Sequence, residues 1–373
     1  MKICYIAHIR LPTEKAHGIQ IMKMCEAFAL QGHTIDLIVQ KRHNPIKTHP
    51  FDFYSIKPEA RKNISIKYVL SPDLISFGKI GYWIQTWIFS ELASIQMRMN
   101  YPDVVYSRDE IILLNMFLIH PNLVWETHQG EDHFITKILL KKAKLVAITH
   151  GLVNLYSKYL KNPSRALVAP DAVDLDEFKL EMTREECRKK TGLPLDKKIA
   201  LYWGHLYGWK GVQTFADASR FFGADELAVV VGGHDKDIED FRTKNAQNPR
   251  LLIVGRRPRS EINMYLRAAD VLVLPNSARE KISSHYTSPL KLFEDMASGT
   301  PIIASDLPSL REILHEKNAL FFTPDDPRSL TDSIQKLFDS KELALRLGKQ
   351  ALDEVQNYTW DNRAKVIVEF IKP

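Results

Sequence analysis

A carboxylate and a candidate anion-binding helix start lie close together within residues 285–299. This segment stands between two apolar runs that the sequence predicts as parallel strands, Asp270–Leu274 and Pro301–Ala304. A loop that opens a helix at the carboxyl end of a parallel strand is where open α/β sheets bind anions. Glu294 follows about two turns into the predicted helix, where its carboxylate can bind ribose hydroxyls. This combination predicts a nucleotide-sugar site.

Backbone amides at the start of that helix are further candidates for binding phosphate. Ser288, Leu290 and Lys291 each have an N–H that can point at an anion. Pro289 has none, but its fixed φ suits the first helical turn.

Strand-like and helix-like segments alternate through both halves of the chain, which is typical of parallel sheets covered by helices. In the first half the predicted strands are Lys2–Ile9, Thr34–Val39, Asp103–Tyr106, Leu123–Trp125 and Lys144–Ile148, with a helix at Ile19–Leu30. In the second half they are Ile199–Trp203, Leu227–Val231, Leu251–Val254, Asp270–Leu274, Pro301–Ala304 and Ala319–Phe322, with a helix near Val212–Phe222. We predict an α/β fold of two parallel-sheet domains facing across a cleft, with the boundary near Pro170.

Charge is distributed unevenly between the two halves. Residues 1–170 contain 21 Lys and Arg and 13 Asp and Glu, a net charge of +8, whereas the remaining residues carry −2. A basic first half favours an anionic partner such as a membrane surface or a phosphorylated lipid, although it is also consistent with charge that only maintains solubility. The chain lacks the dense basic helix of a DNA-binding protein.

Cysteine usage and the N-terminal segment indicate a cytoplasmic location. The three cysteines are widely spaced and match neither a disulfide framework nor a zinc site. The first apolar run is interrupted by His8 and Arg10, so it predicts a strand and not a signal peptide.

An aromatic segment, Ile75–Met99, contains several Trp, Tyr and Phe residues and almost no acids. It could contact lipid at a membrane interface. Aromatic residues at helical spacing more often lie in a core, however, so we predict a buried helix.

Several motifs occur in a fixed order along the chain. Gly18 follows the first predicted strand, and His128 follows the strand that ends in Trp125. Gly204-His205 and Lys210 follow the first strand of the second half, and Arg256 follows a later one. With the segment around Glu294, this order resembles the retaining nucleotide-sugar glycosyltransferases of group 1, which have two Rossmann-like domains in the GT-B arrangement.

The resemblance implies a domain organisation. Residues 1–170 would form an acceptor-side domain, with a last helix at 357–373 packing back on it. Residues 171–356 would bind the nucleotide sugar. Residues 170–178 match a family segment that we interpret as structural.

The resemblance also implies roles for individual residues. His128 and Lys210 would be catalytic, Lys210 by neutralising the leaving diphosphate. The substrate-binding residues would be Gly18, His205, Arg256, Tyr286, Ser288, Leu290 and Glu294.

Two of these positions depart from the family pattern. His205 stands where an arginine is usual, and an imidazole near pH 7 is only partly charged. Either a bound diphosphate keeps His205 protonated, or Lys210 carries most of the charge. Tyr286 stands where a glutamate is usual, eight positions before Glu294. Tyrosine keeps a hydroxyl but removes a negative charge.

The function implied is sugar transfer from a nucleotide diphosphate sugar to a glycan or lipid-linked acceptor. The resemblance implies retention of configuration and no metal or other cofactor. Peripheral contact with a membrane through the basic first domain is a further prediction. The alternatives are a degenerate nucleotide-sugar-binding protein and an epimerase or phosphorylase on the same fold. No motif suggests the pyridoxal phosphate of a phosphorylase.

Overall fold

The computed structural model describes residues 1–372, which divide into two α/β units. Unit 1 comprises Met1–Asp171 and the segment from Trp360 onward, and unit 2 comprises Ala172–Thr359. The predicted α/β class with two parallel sheets is confirmed. Among residues 1–372, no helix is long and apolar enough to cross a bilayer.

Unit 1 contains a seven-stranded parallel sheet with the order β3-β2-β1-β4-β5-β6-β7. Its strands are β1 Lys2–Ala7, β2 Thr34–Lys41, β3 Ile64–Leu70, β4 Val104–Ser107, β5 Leu123–Thr127, β6 Lys144–Ala147 and β7 Ala166–Val168. The order reverses at β1, which pairs with both β2 and β4. Such a switch point separates the loops that follow neighbouring strands and opens a crevice at their carboxyl ends.

Two strands of this sheet, β3 and β7, were not predicted. β3 lies at the edge and exposes Ser65, Tyr68 and Leu70, so it lacks the continuous apolar run by which buried parallel strands are recognised. β7 has only three residues, all half-buried.

The helices that cover this sheet are short except for two. They are α1 Ala16–Leu30, α2 Pro50–Phe53, α3 Pro58–Arg61, α4 Gly78–Arg98, α5 Glu110–Asn115, α6 Phe134–Leu139 and α7 His150–Tyr156. α1 begins three residues earlier than predicted.

The prediction that the aromatic segment is a buried helix was wrong. α4 turns its apolar stripe outward, with Ile80 75%, Trp83 50% and Trp87 52% exposed, while Gln85 and Thr86 are fully buried. Helical periodicity identifies an apolar face but not the direction in which it points.

Two polar side chains of the sheet explain this orientation of α4. His8 lies within hydrogen-bonding distance of Gln85 Nε2 at 3.0 Å and of Thr86 Oγ1 at 3.1 Å. Gln85 also donates to Gln40. Because buried polar groups need such partners, Gln85 and Thr86 pack inward on the same side as the apolar Phe89, Ala93 and Met97.

Unit 2 contains a six-stranded parallel sheet with the order β10-β9-β8-β11-β12-β13. Its strands are β8 Lys198–Trp203, β9 Glu226–Val231, β10 Leu251–Gly255, β11 Val271–Leu274, β12 Ile302–Ser305 and β13 Leu320–Phe322. The six predicted strands match these within one or two residues. Their apolar residues pack on both faces of the sheet, as in other doubly covered parallel sheets.

The helices of unit 2 lie between these strands or follow them. They are α8 Arg184–Thr191, α9 Val212–Ala218, α10 Asp235–Lys244, α11 Arg259–Ala268, α12 Leu290–Ala297, α13 Pro308–Arg311, α14 Pro327–Asp339 and α15 Lys341–Glu354. The start of α12 therefore lies at residue 290, after β11 and a π-helical turn, Ile282–Tyr286.

The last helix, α16 Trp360–Ile371, belongs to unit 1 and packs against α1. Gln31, which follows α1, donates to the Asp361 side chain. Trp360, Ile367 and Ile371 on one face are buried, so apolar packing holds the helix on this unit. It also brings one charged residue, Arg363, to the interior of unit 1.

Candidate active site

His128 in unit 1 follows β5 directly and is held by a neighbouring carboxylate. Its Nε2 lies 2.7 Å from Glu126 Oε1, and its Nδ1 lies 4.0 Å from Asp171 Oδ2. Burial and Arg108 lower the pKa of His128, although both carboxylates oppose them. His128 is therefore neutral at pH 7. A neutral imidazole can form a hydrogen bond to a sugar, but it supplies no positive charge.

Glu126 is fully buried and accepts hydrogen bonds from four side chains. Gln20 Nε2 lies 2.5 Å and Arg363 Nη2 2.9 Å from Oε1. The Tyr106 hydroxyl donates to Oε2, and His128 completes the set. Burial would raise the pKa of Glu126, but Arg363 and His128 hold it well below its usual range. Glu126 is therefore an anion inside unit 1.

Gly18 lies in the first turn of α1 and not in the predicted loop. A Cβ there would come 2.4 Å from the Tyr54 hydroxyl and 2.5 Å from the Thr13 methyl group. Tyr54 also exchanges two hydrogen bonds with the Thr13 backbone. Internal packing therefore accounts for this glycine.

His205 in unit 2 lies in the loop that follows β8. Its ring stacks between Tyr207, at a centroid distance of 5.0 Å, and His234, at 4.9 Å. Its Nδ1 is buried and has no hydrogen-bond partner. Burial, His234 and Lys210 lower the pKa of His205. His205 is therefore mainly neutral at pH 7 in the unliganded protein.

Lys210 stands in the same loop and has no anionic partner. Its Nζ lies 4.0 Å from the centroid of the Trp209 ring, and none of the ion pairs among residues 1–372 includes it. Burial and Lys291 lower its pKa to about 7. A cation in this position is stabilised by any anion that enters the site.

Trp203, the last residue of β8, fixes the start of α12 against this loop. Its carbonyl accepts from Lys291 Nζ at 2.9 Å, and its indole Nε1 donates to Asp295 Oδ1 at 2.6 Å. Both residues belong to α12. Burial lowers the pKa of Lys291 and raises that of Asp295. Asp295 Oδ2 is buried without a partner.

Glu294 is the fifth residue of α12, so it lies one turn from the helix start and not two. It is 3% exposed, and its Oε1 accepts from Arg259 Nη2 at 2.7 Å. Arg259 also donates to Glu177 at 3.0 Å. Glu177, in a segment that we interpreted as structural, thus helps to hold the arginine beside Glu294.

The remaining predicted residues lie on elements at the same edge of the sheet. Tyr286 ends the π-helical turn, Ser288 is buried, and Leu290 begins α12. Arg256 follows β10 and is exposed. It is Arg259, and not Arg256, that contacts Glu294.

Hydrogen bonds connect these loops within unit 2. Lys291 links α12 to the end of β8, and Arg259 links α11 to α12. Ser277 N donates to Trp209 O at 3.0 Å, which links the loop after β11 to the Lys210 loop. His205, Lys210, Glu294 and the start of α12 thus share one edge of the unit 2 sheet. His128 and Gly18 belong to unit 1.

Sequence reasoning missed Asn276 in this region. It lies two residues after β11 and is 1% exposed, and neither of its amide atoms has a partner. A buried amide without partners at the carboxyl end of a strand is typical of a ligand site. Its position directly after a predicted strand was the available signal.

The sequence of unit 2 matches a known protein family. Residues 183–354 match the family model described as glycosyl transferases group 1. The match covers 172 of the 373 residues and lies within unit 2. The resemblance to that family is thereby confirmed.

Relatives by sequence are similar over part of their length. The chain is 24% identical over 229 residues to a D-inositol 3-phosphate glycosyltransferase of Corynebacterium urealyticum, covering 57% of this chain and 52% of the relative. It is 28% identical over 193 residues to a putative teichuronic acid biosynthesis glycosyltransferase, TuaC, of Bacillus subtilis, covering 52% and 46%. The chain thus spans about half the length of these curated relatives.

Solved structures are similar over nearly the whole chain. A sucrose-phosphate synthase from Thermosynechococcus elongatus has a TM-score of 0.77 at 18% identity, covering 99% of this chain and 97% of that one. HepE from Anabaena, in complex with UDP-glucose, has a TM-score of 0.73 at 15% identity, covering 99% and 98%. These likenesses show the GT-B fold.

The affinity of unit 2 for a diphosphate should depend on pH through Lys210. Its pKa of about 7 should rise when a diphosphate binds, so binding takes up a proton above that pH. UDP-glucose is a suitable probe because its doubly esterified diphosphate does not titrate near neutrality. Between about pH 7 and about pH 9 its dissociation constant should increase by up to about tenfold per pH unit.

Calorimetric titration of UDP-glucose at several pH values measures this dependence. Lys210→Met should bind more weakly and lose most of the pH dependence, whereas Lys236→Met, on the exposed face of α10, should behave like the wild type. An affinity of the wild type that stays constant across this range would contradict the assignment.

Proposed function

We propose that the protein transfers a sugar from a nucleotide diphosphate sugar to a glycan or lipid-linked acceptor. The observation that carries the proposal is Lys210, a partly buried cation without an anionic partner at the carboxyl edge of a parallel sheet. A diphosphate supplies the missing negative charge. The group 1 family match of the same unit supports this assignment.

Neighbouring residues of unit 2 would complete the donor site. The amides at the start of α12 and Lys210 would stabilise the charge that develops on the leaving diphosphate. Glu294 would bind the ribose hydroxyls through its second oxygen, because Arg259 already occupies Oε1. Arg259 thereby orients the carboxylate.

Retention of configuration and independence of metal form part of the proposal by family resemblance. His128 would contact the donor sugar as a neutral imidazole. Tyr286 would offer the sugar a hydroxyl where the family has a carboxylate, so no negative charge would assist there. The choice of donor sugar is expected to reflect this difference.

Release of nucleotide tests the proposal directly. UDP-glucose and other nucleotide sugars would be incubated with and without lipid-linked and glycan acceptors, and free diphosphate nucleotide would be measured. Lys210→Met and Glu294→Ala should each lower kcat/KM by roughly a hundredfold or more, because each removes a charged contact to the donor.

Matched controls are the exposed α10 variants Lys236→Met and Glu239→Ala, which should keep wild-type rates. Normal turnover by Lys210→Met would refute the site. Binding without release of nucleotide in every acceptor series would favour the degenerate binding protein, and formation of an epimerised donor would favour the epimerase.

We also propose that unit 1 contacts a membrane surface through the outer face of α4. Ile80, Trp83, Ile84 and Trp87 form an exposed stripe at helical spacing, next to the exposed Phe77. Trp and Tyr favour the membrane–water interface, and a helix with such a face lies in that plane. Residues 74–90 contain one lysine and no acid.

Unit 1 also contains a basic depression. It has a volume of about 430 Å³, and its lining includes Arg42, His43 and Lys47 but no carboxylate. Arg42 pairs with Asp73 at 2.9 Å, directly before the segment that leads into α4. Cations in such a depression would attract the anionic head groups of a membrane surface.

Sedimentation with lipid vesicles tests this contact. Wild-type protein should bind vesicles that contain phosphatidylglycerol, and Trp83→Ser/Trp87→Ser should bind at least about tenfold more weakly, because two large apolar side chains are lost. Leu118→Ser/Leu345→Ser removes two exposed leucines elsewhere and should bind normally. Equal binding by both double variants would contradict the proposal.

A further inference from the structure

Arg363 connects the last helix to His128 through a buried carboxylate. It extends from α16 and donates to Glu126 Oε1 at 2.9 Å, to Pro170 O at 2.9 Å and to Ala169 O at 3.2 Å. Glu126 lies beside His128 at the end of β5. The predicted site residue thus depends on a side chain more than two hundred positions away in the sequence.

We infer that Glu126 and Arg363 are positioning residues that hold His128 as its Nε2–H tautomer, with Nδ1 left to accept a hydrogen bond from substrate. The inference rests on the proposed glycosyl transfer. It concerns residues that touch His128 or Glu126 and not the substrate.

The tautomer follows from the donors around Glu126. The carboxylate is buried, ionised and surrounded by donors from four elements, α1, β4, the end of β5 and α16. An ionised carboxylate can only accept, so the contact at 2.7 Å requires a proton on His128 Nε2. A neutral imidazole has a single N–H, and Nδ1 is therefore an acceptor.

Gln20 is itself oriented so that it donates to Glu126. Arg108 Nη1 donates to Gln20 Oε1 at 3.1 Å, which leaves the amide Nε2 to point at the carboxylate. The two arginines act on Glu126 in different ways, Arg363 by direct pairing and Arg108 through the amide. Both favour the ionised form.

Asp171 faces the other side of the imidazole without fixing its proton. Its Oδ2 lies 4.0 Å from His128 Nδ1, which is too far for a hydrogen bond. Burial raises the pKa of Asp171. The charged and titratable groups around His128 are Glu126, Arg108, Asp171 and His17.

This tautomer determines which nitrogen of His128 can accept a hydrogen bond from substrate. A substrate hydroxyl can donate to Nδ1, while the Nε2–H bond to Glu126 keeps the ring from rotating. Partners that fix the tautomer of a histidine commonly change activity by ten- to a hundredfold when removed. Without Glu126 as an anion, the imidazole could carry its proton on either nitrogen.

The experiment compares Glu126→Gln with the wild type by two measurements. Long-range ¹H–¹⁵N spectra of the imidazoles, assigned with His128→Ala, should show protonated Nε2 in the wild type. In Glu126→Gln the amide can donate to Nε2, so the Nδ1–H tautomer should appear. With UDP-glucose as the donor probe, kcat for nucleotide release should fall roughly ten- to a hundredfold, with KM changed less than about threefold.

A double-variant comparison separates positioning from a general structural effect. Glu126→Gln should lower kcat in the wild-type background but have no further effect in the His128→Ala background. Glu126→Gln/Arg363→Met removes both charges together, so it should fold where Arg363→Met alone leaves a buried anion unpaired. Arg188→Met, which removes a buried arginine from unit 2, should leave the His128 spectrum unchanged.

The outcomes distinguish this inference from the proposed function. An Nδ1–H tautomer in the wild type, or an equal loss of kcat in both backgrounds, would overturn the positioning role even if the protein transfers sugar. Absence of nucleotide release by the wild type would refute the function, while the spectra would still test the tautomer.

Discussion

A charge that is removed from water must be compensated, and the two units meet this constraint in opposite ways. In unit 1 the Glu126 carboxylate is surrounded by donors, including Arg363 from the last helix. In unit 2 the Lys210 ammonium lies over an aromatic ring and has no anionic partner among residues 1–372, and burial and Lys291 lower its pKa. Because donors inside unit 1 compensate the charge of Glu126, this carboxylate supports His128 rigidly. Because Lys210 has no anionic partner in the part of the chain that the structure describes, an anionic ligand can supply the missing charge there.

Several contacts in unit 2 fix the groups that would surround such a ligand. The parallel strands end at one edge, where Trp203 binds Lys291 and Asp295 and so fixes the start of α12. Arg259 fixes Glu294 one turn further along the helix. In the proposed function, these contacts would hold the helix start and the carboxylate in place before a donor binds, which would limit the reorganisation needed in the transition state.

Patterns local in sequence predicted much of this structure, and contacts distant in sequence account for the rest. Apolar runs located all six strands of unit 2, and the family resemblance drew attention to His128 and Lys210. The position after a predicted strand pointed to the segment of Glu294, although Glu294 was placed too far along the helix. Periodicity gave α4 the wrong face because the partners of its polar residues, such as His8, lie far away in sequence. The role of Arg363 was not predicted, since nothing near residue 363 indicates a buried carboxylate at residue 126.

The central claim is that unit 2 binds the diphosphate of a nucleotide sugar at Lys210. A crystal structure of the protein with UDP-glucose tests it most directly. The account predicts the diphosphate within hydrogen-bonding distance of Lys210 Nζ and of the amides at the start of α12, with the ribose hydroxyls on Glu294. A nucleotide bound away from Lys210, with Glu294 paired only with Arg259, would contradict it.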